Sequence, residues 1–178
     1  MTPPTTPDLN SLEFFSYLNA DGLVPKEHQN KIGVYAIFDN NKMLQFIGYS
    51  RDIYLSLRQH LVRQPQHCYW FKVFLIERPN RTILEEIRQQ WLRENGSIPE
   101  GNKSDLSRWT QAIDIKAMMS DSEQEEYQSI EVGQDKKFLK QIARRVESEI
   151  LETLQARGAR MQLRFNPKLK EKGLLDLK

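Results

Sequence analysis

The sequence predicts an α+β fold in which a small three-stranded antiparallel sheet is flanked by helices and followed by a mainly helical C-terminal extension. Two patterns carry this prediction. Residues 33–39 and 43–49 are apolar, aromatic-rich runs joined by Asn40-Asn41-Lys42, and Asn tolerates the positive φ that tight hairpin turns need. Residues 135–157 place apolar side chains four positions apart, which is typical of an amphipathic helix.

The chain divides into four predicted segments. Residues 1–10 show no periodicity and are expected to form a disordered tail. Residues 11–30 are expected to carry a helix that begins at Ser11 and packs on the core. Residues 31–103 form the predicted core domain, and residues 104–178 form the helical extension, whose end is rich in lysine.

The first helix of the core domain is predicted directly after the hairpin. Ser50 and Asp52 suit a helix start, because a hydroxyl and a carboxylate both stabilise the unpaired N–H groups there. The helix should end near Arg63. Its buried stripe is predicted to consist of Ile53, Leu57 and Leu61.

A third strand and a second helix follow in the prediction. Residues 68–77 are β-branched and aromatic with a single interior charge, which indicates a strand buried on both faces. The second helix begins near Thr82, which forms a capping-box pattern with Glu85, and closes at Gly96.

Length and composition exclude several classes of protein. A chain of 178 residues with 39% hydrophobic and 28% charged residues can bury an ordinary globular core. No apolar run is long enough to span a membrane, and the first residues lack the pattern of a signal peptide. The single cysteine, Cys68, cannot form an internal disulfide, which favours a reducing compartment. We therefore expect a cytoplasmic protein that makes no contact with membranes.

Charge is unevenly distributed along the chain, although the net charge is only +2. Residues 104–133 carry 2 basic against 7 acidic residues, and residues 134–178 carry 12 against 6. One interpretation is that these are solvated faces that partly neutralise each other. The other is that the basic end contacts phosphates of a nucleic acid.

Two tripeptides stand at the centre of the core domain, Gly33-Val34-Tyr35 and Phe46-Ile47-Gly48. The second is followed by Arg51 and by a predicted helix that contains His60. This combination resembles the GIY-YIG nuclease domain over about residues 31–102. The resemblance implies an endonuclease that hydrolyses phosphodiester bonds of DNA with Mg²⁺ or Mn²⁺ as cofactor.

The resemblance also implies a set of site residues. In that chemistry a tyrosine acts as general base or orients water, a cation stabilises charge on the phosphoryl group, and a carboxylate holds the metal. Carried over to this sequence, the catalytic residues are Tyr35, Arg51, Arg58 and His60, the residues beside the substrate are Phe46, Tyr49 and Asn102, and the metal ligand is Glu85.

Three positions depart from the family pattern. Phe46 replaces a tyrosine, and Ser56 stands where the family has its catalytic arginine. Either Glu85 or Arg88 matches the metal-binding glutamate, depending on the register, and Glu85 also fits the capping box. These departures leave open an alternative, a catalytically degenerate domain that binds nucleic acid or a protein partner.

A cation from elsewhere could replace the missing arginine. Arg58 projects about 200° around the helix from Ser56, so it does not share its face. His60 and Arg63 do share the face of Ser56, and Arg51 lies at the helix start.

The expected partner is a nucleic acid, with DNA favoured over RNA, bound by the core domain and the basic C-terminal end. A protein partner that docks on the helix of residues 135–157 is a second possibility, since that helix carries a long apolar stripe with several lysines and arginines near its start.

Overall fold

The computed structural model describes residues 5–178 and divides the chain into two compact units, of which one ends at Thr110 and the other spans Gln111–Lys178. The first unit is built on a four-stranded antiparallel sheet in the order β1-β4-β2-β3. Its strands are β1 (Phe15–Ser16), β2 (Ile32–Phe38), β3 (Leu44–Ser50) and β4 (Trp70–Ile76), and its helices are α1 (Ile53–Arg63), α2 (Arg81–Asn95) and α3 (Leu106–Thr110).

The predicted α+β class with a small antiparallel sheet and flanking helices is confirmed, but the sheet has four strands instead of three. The additional strand is β1, whose two residues pair with Phe71 and Trp70 of β4. So short a strand carries no periodicity in the sequence, because its position is decided by pairing with β4 and not by its own residues.

The hairpin of β2 and β3 forms as predicted. Tyr35 lies opposite Gly48 across the ladder. The residue with positive φ in the turn is Lys42, at 60°, and not one of the two asparagines. The Asp39 carboxylate supports the turn by accepting hydrogen bonds from the backbone N–H groups of Asn41 and Met43.

The two faces of the sheet pack on different helices, since successive side chains of a strand point to opposite sides. Val34, Ala36 and Phe38 of β2 lie in a core cluster with residues of α2. On the other face, Tyr35 contacts α1. The cluster under α2 also contains Leu9, Ile47, Leu84, Ile87, Trp91 and Leu92.

Gly48 provides the space that Tyr35 occupies. A Cβ at Gly48 would lie 2.8 Å from the Tyr35 hydroxyl and 2.6 Å from the Phe46 ring. Both distances are far below van der Waals contact, so the hydroxyl reaches its position only because residue 48 has no side chain.

Both core helices begin at an Asx cap. Asp52 accepts from the Leu55 N–H at the start of α1. Asn80 accepts from the Ile83 N–H at the start of α2, which corrects the predicted capping box of Thr82 and Glu85. The predicted end of α2 at Gly96 is observed, with a φ of 82°.

The N-terminal segments differ from their predictions. Residues 1–4 of the predicted disordered tail lie outside the described residues, whereas residues 9–11 form a turn of 3₁₀-helix with Leu9 buried. No helix forms between residues 11 and 30 except the short 3₁₀ turn Lys26–His28, because this segment supplies β1 and packs on the sheet through tertiary contacts.

Strand β4 is less buried than its sequence predicts. Of its seven residues only Phe71 and Lys72 are buried. Strand β1 pairs with only two of its residues, Trp70 and Phe71. The single charged residue inside the strand, Lys72, is nevertheless buried, at 4% exposed.

The second unit is mainly helical. Its long helix α5 (Asp135–Ala156) agrees with the predicted stripe, and seven of its residues are buried. A strand predicted from the alternation of residues 161–165 is reduced to an isolated bridge between Phe165 and Leu177. The remaining elements are β5 (Ile113–Asp114), α4 (Asp121–Gln128), α6 (Pro167–Lys170) and β6 (Leu174–Leu175), and β5 pairs with β6.

None of the helices formed by residues 5–178 is long and apolar enough to cross a membrane.

The substitution Gly48→Ala tests the close packing around Tyr35. We expect it to lower the free energy of unfolding by about 1–3 kcal/mol, because the added methyl must displace the Tyr35 or Phe46 ring. Urea unfolding followed by circular dichroism measures this, with Ser107→Ala on the exposed side of α3 as the control. An unchanged midpoint would show that the Tyr35 hydroxyl does not lie against residue 48.

Candidate functional site: a groove beside Tyr35

An open groove of about 360 Å³ lies in the first unit, between β3, α1, α2 and the segment around Asn102. Polar residues from all four meet there, so the sheet and helices bring together side chains that lie far apart in the sequence. The lining residues are Tyr35, Phe46, Ile47, Gly48, Tyr49, Ser56, Gln59, His60, Arg63, Glu85, Arg88, Asn102, Leu106 and Thr110.

A buried hydrogen bond joins Tyr35 and His60 at the base of this groove. The Tyr35 hydroxyl lies 2.6 Å from His60 Nε2, and the tautomer of the imidazole decides which group donates. The Phe46 ring packs against His60 at 4.8 Å and stacks on Trp109 at 5.2 Å with an interplanar angle of 3°. The predicted loss of a hydroxyl at Phe46 is thus accompanied by an aromatic stack that encloses the imidazole.

Burial keeps both members of this pair uncharged. It raises the pKa of Tyr35 well above its usual range, although the Ser56 hydroxyl and the Arg63 charge partly oppose the shift. Burial also lowers the pKa of His60 to about 3; the Arg63 charge acts in the same direction, and the Trp109 carbonyl opposes it. Near neutral pH this pair therefore contributes hydrogen bonding but no charge to the groove.

Arg63 supplies positive charge from the last turn of α1. Its Nη1 donates to the Trp109 carbonyl at 3.0 Å, which also holds α3 against α1. Arg63 lies on the same face of α1 as Ser56 and His60, as their spacing predicts. The Ser56 hydroxyl, at the position where an arginine was missing, donates to Ser50.

Glu85, the predicted metal ligand, is instead paired with a cation. Arg88 donates to both of its carboxylate oxygens, through Nε at 3.1 Å and Nη2 at 2.5 Å, and Gln89 donates a third hydrogen bond. The hydrogen bonds from Arg88 and then Gln89 are the main reasons that the pKa of Glu85 falls to about 2. Within residues 5–178 no group of three or more His, Cys, Asp or Glu side chains converges on a point where a metal ion could bind.

Asn102 binds the backbone of β3 at the edge of the sheet. Its side-chain oxygen accepts from the Ile47 N–H at 2.8 Å, and its nitrogen donates to the Ile47 carbonyl at 2.7 Å. The amide thus pairs with β3 as another strand would, and its role as a substrate contact stays a prediction. Tyr49, also predicted beside the substrate, is half-buried in the groove, and a hydrogen bond from its hydroxyl contributes to the low pKa of Glu85.

Two predicted catalytic residues do not line the groove. Arg51 is exposed just before α1, and the Arg58 guanidinium lies over the Tyr54 ring, 5.6 Å from its centroid. Sequence analysis did not place four residues in the site: Gln59, Leu106 and Thr110, which line the groove, and Trp109, which stacks on Phe46. The helical face shared by Ser56, His60 and Arg63 was the available signal for Gln59, whereas α3 carries no signal that would bring it to this groove.

Comparison with known proteins matches part of the chain. No family model matches it. A segment of 76 residues, 40% of this chain, is 40% identical to the bifunctional monothiol glutaredoxin-S16, chloroplastic, of Arabidopsis thaliana. The match covers 26% of that protein, so the chain spans about a quarter of the length of this relative. The relative's name calls it bifunctional and states one function, that of a monothiol glutaredoxin.

This comparison contradicts the nuclease identification. The relative is named for glutaredoxin chemistry and not for phosphodiester hydrolysis, and the pairing of Glu85 with Arg88 gives an independent reason against the metal-dependent step. The assignment to the GIY-YIG family, the endonuclease and hydrolase function, the alternative of a degenerate member of that family and the Mg²⁺ or Mn²⁺ cofactor are therefore wrong, whereas the expected nucleic-acid and protein partners remain predictions.

The chain does not present the accessible thiol that glutaredoxin chemistry requires. Thiol exchange needs an accessible thiolate. Cys68 is the only cysteine of the sequence, it is fully buried, and its Sγ lies 3.6 Å from the His60 carbonyl. The proposed function below therefore rests on the groove itself.

The depressed pKa of His60 predicts a loss of stability in acid. The folded protein holds a neutral imidazole down to about pH 3, whereas the unfolded chain takes up the proton near pH 6.5. As the pH falls from 6.5 towards 3, the unfolded state is favoured by up to about 1.4 kcal/mol per pH unit from this group. Urea unfolding of the wild type and of His60→Gln, compared at several pH values, should show their difference in stability shrinking across this window.

Two controls make that comparison specific. His28, whose pKa burial also lowers, is present in both proteins and cancels in the difference. The exposed His67 provides the matched variant, since His67→Gln should follow the wild type at every pH. A constant gap between wild type and His60→Gln from pH 7 to pH 4 would contradict a neutral, buried His60.

Proposed function

We propose that the first unit binds nucleic acid and holds a backbone phosphate in the groove between Arg63 and Arg88. One observation carries the proposal: two arginines line the same open groove, while Glu85, the only carboxylate among its lining residues, is already paired with one of them. The groove wall thus keeps a net positive charge.

The chemistry of the lining residues suits a phosphodiester. A guanidinium presents planar donors that match two phosphate oxygens. Neutral donors lie around the two arginines, and hydroxyl and amide groups are common phosphate contacts in nucleic-acid complexes. These neutral groups are Tyr49, Ser56, Gln59 and Thr110.

The shape of the groove favours a strand over a small ligand. The groove is open to solvent, and the Phe46 ring that lines it is buried and stacked on Trp109. A small ligand would need an enclosed, largely apolar pocket. A strand that lies across an open groove is held instead by contacts to its backbone.

The two other predicted partner contacts concern the second unit. The basic end of residues 134–178 remains a candidate for further phosphate contacts. The apolar stripe of α5 is buried, so a protein partner on this helix would meet its polar face. Cytoplasmic location likewise stays a prediction, supported by the single, buried thiol of Cys68.

Binding to labelled oligonucleotides tests the proposal. Fluorescence anisotropy with a single-stranded DNA, its duplex and an RNA of the same sequence gives the dissociation constants. Arg63→Ala and Arg88→Ala should each weaken binding about tenfold, the usual effect of a hydrogen bond to a charged group. Each should also reduce the slope of log K against log salt concentration by about 0.7–0.9.

The chain offers a matched control on the same helix. Arg58→Ala removes an arginine of α1 that packs on Tyr54 outside the groove, so it should bind as the wild type does. Arg63→Lys, which keeps the charge, should recover part of the affinity and thereby separates charge from folding. If the Arg63 and Arg88 variants bind as tightly as the Arg58 variant, the groove is not the phosphate site.

A substitution of Glu85 separates an anion site from a metal site. Glu85→Gln removes the carboxylate that competes for Arg88, so we expect nucleic-acid affinity to rise by about threefold or more at low salt. A carboxylate that held a metal ion between protein and phosphate would give the opposite result. The same anisotropy titration, with Glu86→Gln on the exposed side of α2 as the control, distinguishes the two outcomes.

A further inference from the structure

The groove lies along one edge of the four-stranded sheet. Strand β3 is the last strand in the sheet order, and five of its residues line the groove. Helices α1 and α2 pack on opposite faces of the sheet, and both contribute lining residues. The edge of β3 therefore lies between Arg63 of α1 and Arg88 of α2.

Backbone groups of this edge point away from the sheet at every second residue. The N–H and carbonyl of Ile47 both bind the Asn102 side chain, at 2.8 and 2.7 Å, so they do not pair with Ala36 opposite. Hydrogen-bonded and non-hydrogen-bonded pairs alternate along an antiparallel ladder, so Tyr49, opposite Val34, is again a non-hydrogen-bonded position. The N–H and carbonyl of Tyr49 therefore point away from β2, towards the groove.

Only a short part of the edge is open. Gly101 lies so close to the Gln45 carbonyl that a Cβ there would overlap it, and Asn102 binds Ile47. Strand β3 ends one residue after Tyr49. Among residues 5–178, none hydrogen-bonds to the outward N–H or carbonyl of Tyr49. The open edge is thus a single residue long, which is too short for a peptide strand to add to the sheet.

The bond between Asn102 and Ile47 shows what kind of group fits such a backbone pair. A carboxamide offers an acceptor beside a donor, and it engages both backbone groups of one residue at once. Each nucleobase also carries a donor beside an acceptor on its base-pairing edge, at a spacing similar to that of an amide. An unpaired base can therefore bind Tyr49 as the Asn102 side chain binds Ile47.

The arginines beside Tyr49 identify the partner as a nucleotide. Arg63 and Arg88 line the same groove, so a phosphate bound between them would place the attached base close to the edge of β3. A bare amide of a protein partner would leave this positive charge unmatched. In a duplex the base-pairing edges are occupied by the opposite strand, whereas unpaired bases present them to proteins.

We propose that the outward N–H and carbonyl of Tyr49 bind the base-pairing edge of one unpaired nucleotide, which makes single-stranded nucleic acid the ligand class of the groove. This inference rests on the phosphate binding proposed above and adds a base contact to it. The contact tolerates different bases, because each base has a donor and an acceptor on this edge. A fully paired duplex cannot make it.

Modified oligonucleotides test the contact from the side of the base. Fluorescence anisotropy compares oligothymidylate with the same strand made of N3-methylthymine, which keeps the phosphates and the ring but has no N–H on the base-pairing edge. The methylated strand should bind at least about fivefold more weakly, as expected for the loss of a bidentate base contact. The slope of log K against log salt concentration should not change, because the phosphate contacts remain. Oligothymidylate paired with oligoadenylate should likewise bind more weakly than the free strand.

Variants of Tyr49 test the contact from the side of the protein. Tyr49→Pro removes the outward N–H, and an edge strand tolerates proline where the N–H takes no part in the ladder. Tyr49→Val loses the same ring and hydroxyl but keeps the N–H, so it is the matched control. Tyr49→Pro should bind oligothymidylate at least about fivefold more weakly than Tyr49→Val does. Methylation of the thymines should then make little further difference.

The outcomes separate this inference from the proposal on which it rests. If Arg63→Ala and Arg88→Ala weaken binding but methylated and unmethylated strands bind equally, the phosphate site stands and the Tyr49 contact is wrong. Equal binding of single strand and duplex, or of Tyr49→Pro and Tyr49→Val, would also overturn the contact. If the arginine variants bind as tightly as the wild type, both proposals fail. The comparison of methylated and unmethylated strands uses the wild-type chain, so it decides the question even if Tyr49→Pro does not fold.

Discussion

The buried hydrogen bond between Tyr35 and His60 is the interaction on which the groove depends. It joins the middle of β2 to the middle of α1, and it can form only because Gly48 on β3 leaves room for the Tyr35 hydroxyl. The same bond fixes the C-terminal part of α1 relative to the sheet, so Arg63 in the following turn reaches both the groove and the carbonyl of Trp109. Sheet, helix and groove wall are thereby fixed relative to one another by one uncharged pair.

Electrostatics decides what this groove can bind. The Tyr35–His60 pair is neutral because it is buried, so the charge of the groove comes from the arginines and Glu85 alone. Glu85 occupies the fork of Arg88 in the way that a phosphate would, with both carboxylate oxygens engaged. An anion that enters the groove therefore competes with an internal carboxylate, which makes binding weaker but more selective for ligands that engage several donors at once.

Periodic elements were predictable from the sequence, and side-chain partners were not. The hairpin, α1, α2 and α5 follow from apolar period and turn residues, which are local properties. The sequence predicted a disordered tail over residues 1–10, and the ordered structure around Leu9 was missed because it depends on contacts with Glu94 and Lys72, which lie far away in the chain. The role of Glu85 was missed for the same reason: its position on α2 is compatible with a cap, a metal ligand or an ion pair, and only the neighbouring Arg88 side chain decides between them. Two tripeptides could suggest a nuclease, but they could not show which partner each candidate side chain would find.

Helix α2 presents different side chains to the groove and to the packed N-terminal residues 7–10. Arg88 and Glu94 lie about 9 Å apart along its axis and about 240° apart around it, so the helix presents one to the groove and the other to residues 9 and 10. Between them, Trp91 is fully buried in the core and also binds the Pro7 carbonyl. A rigid helix that is packed on both sides transmits a shift at one side to the other. Burial of Trp91 in the core, together with its hydrogen bond to the Pro7 carbonyl, therefore helps to fix the helix position from which Arg88 reaches the groove.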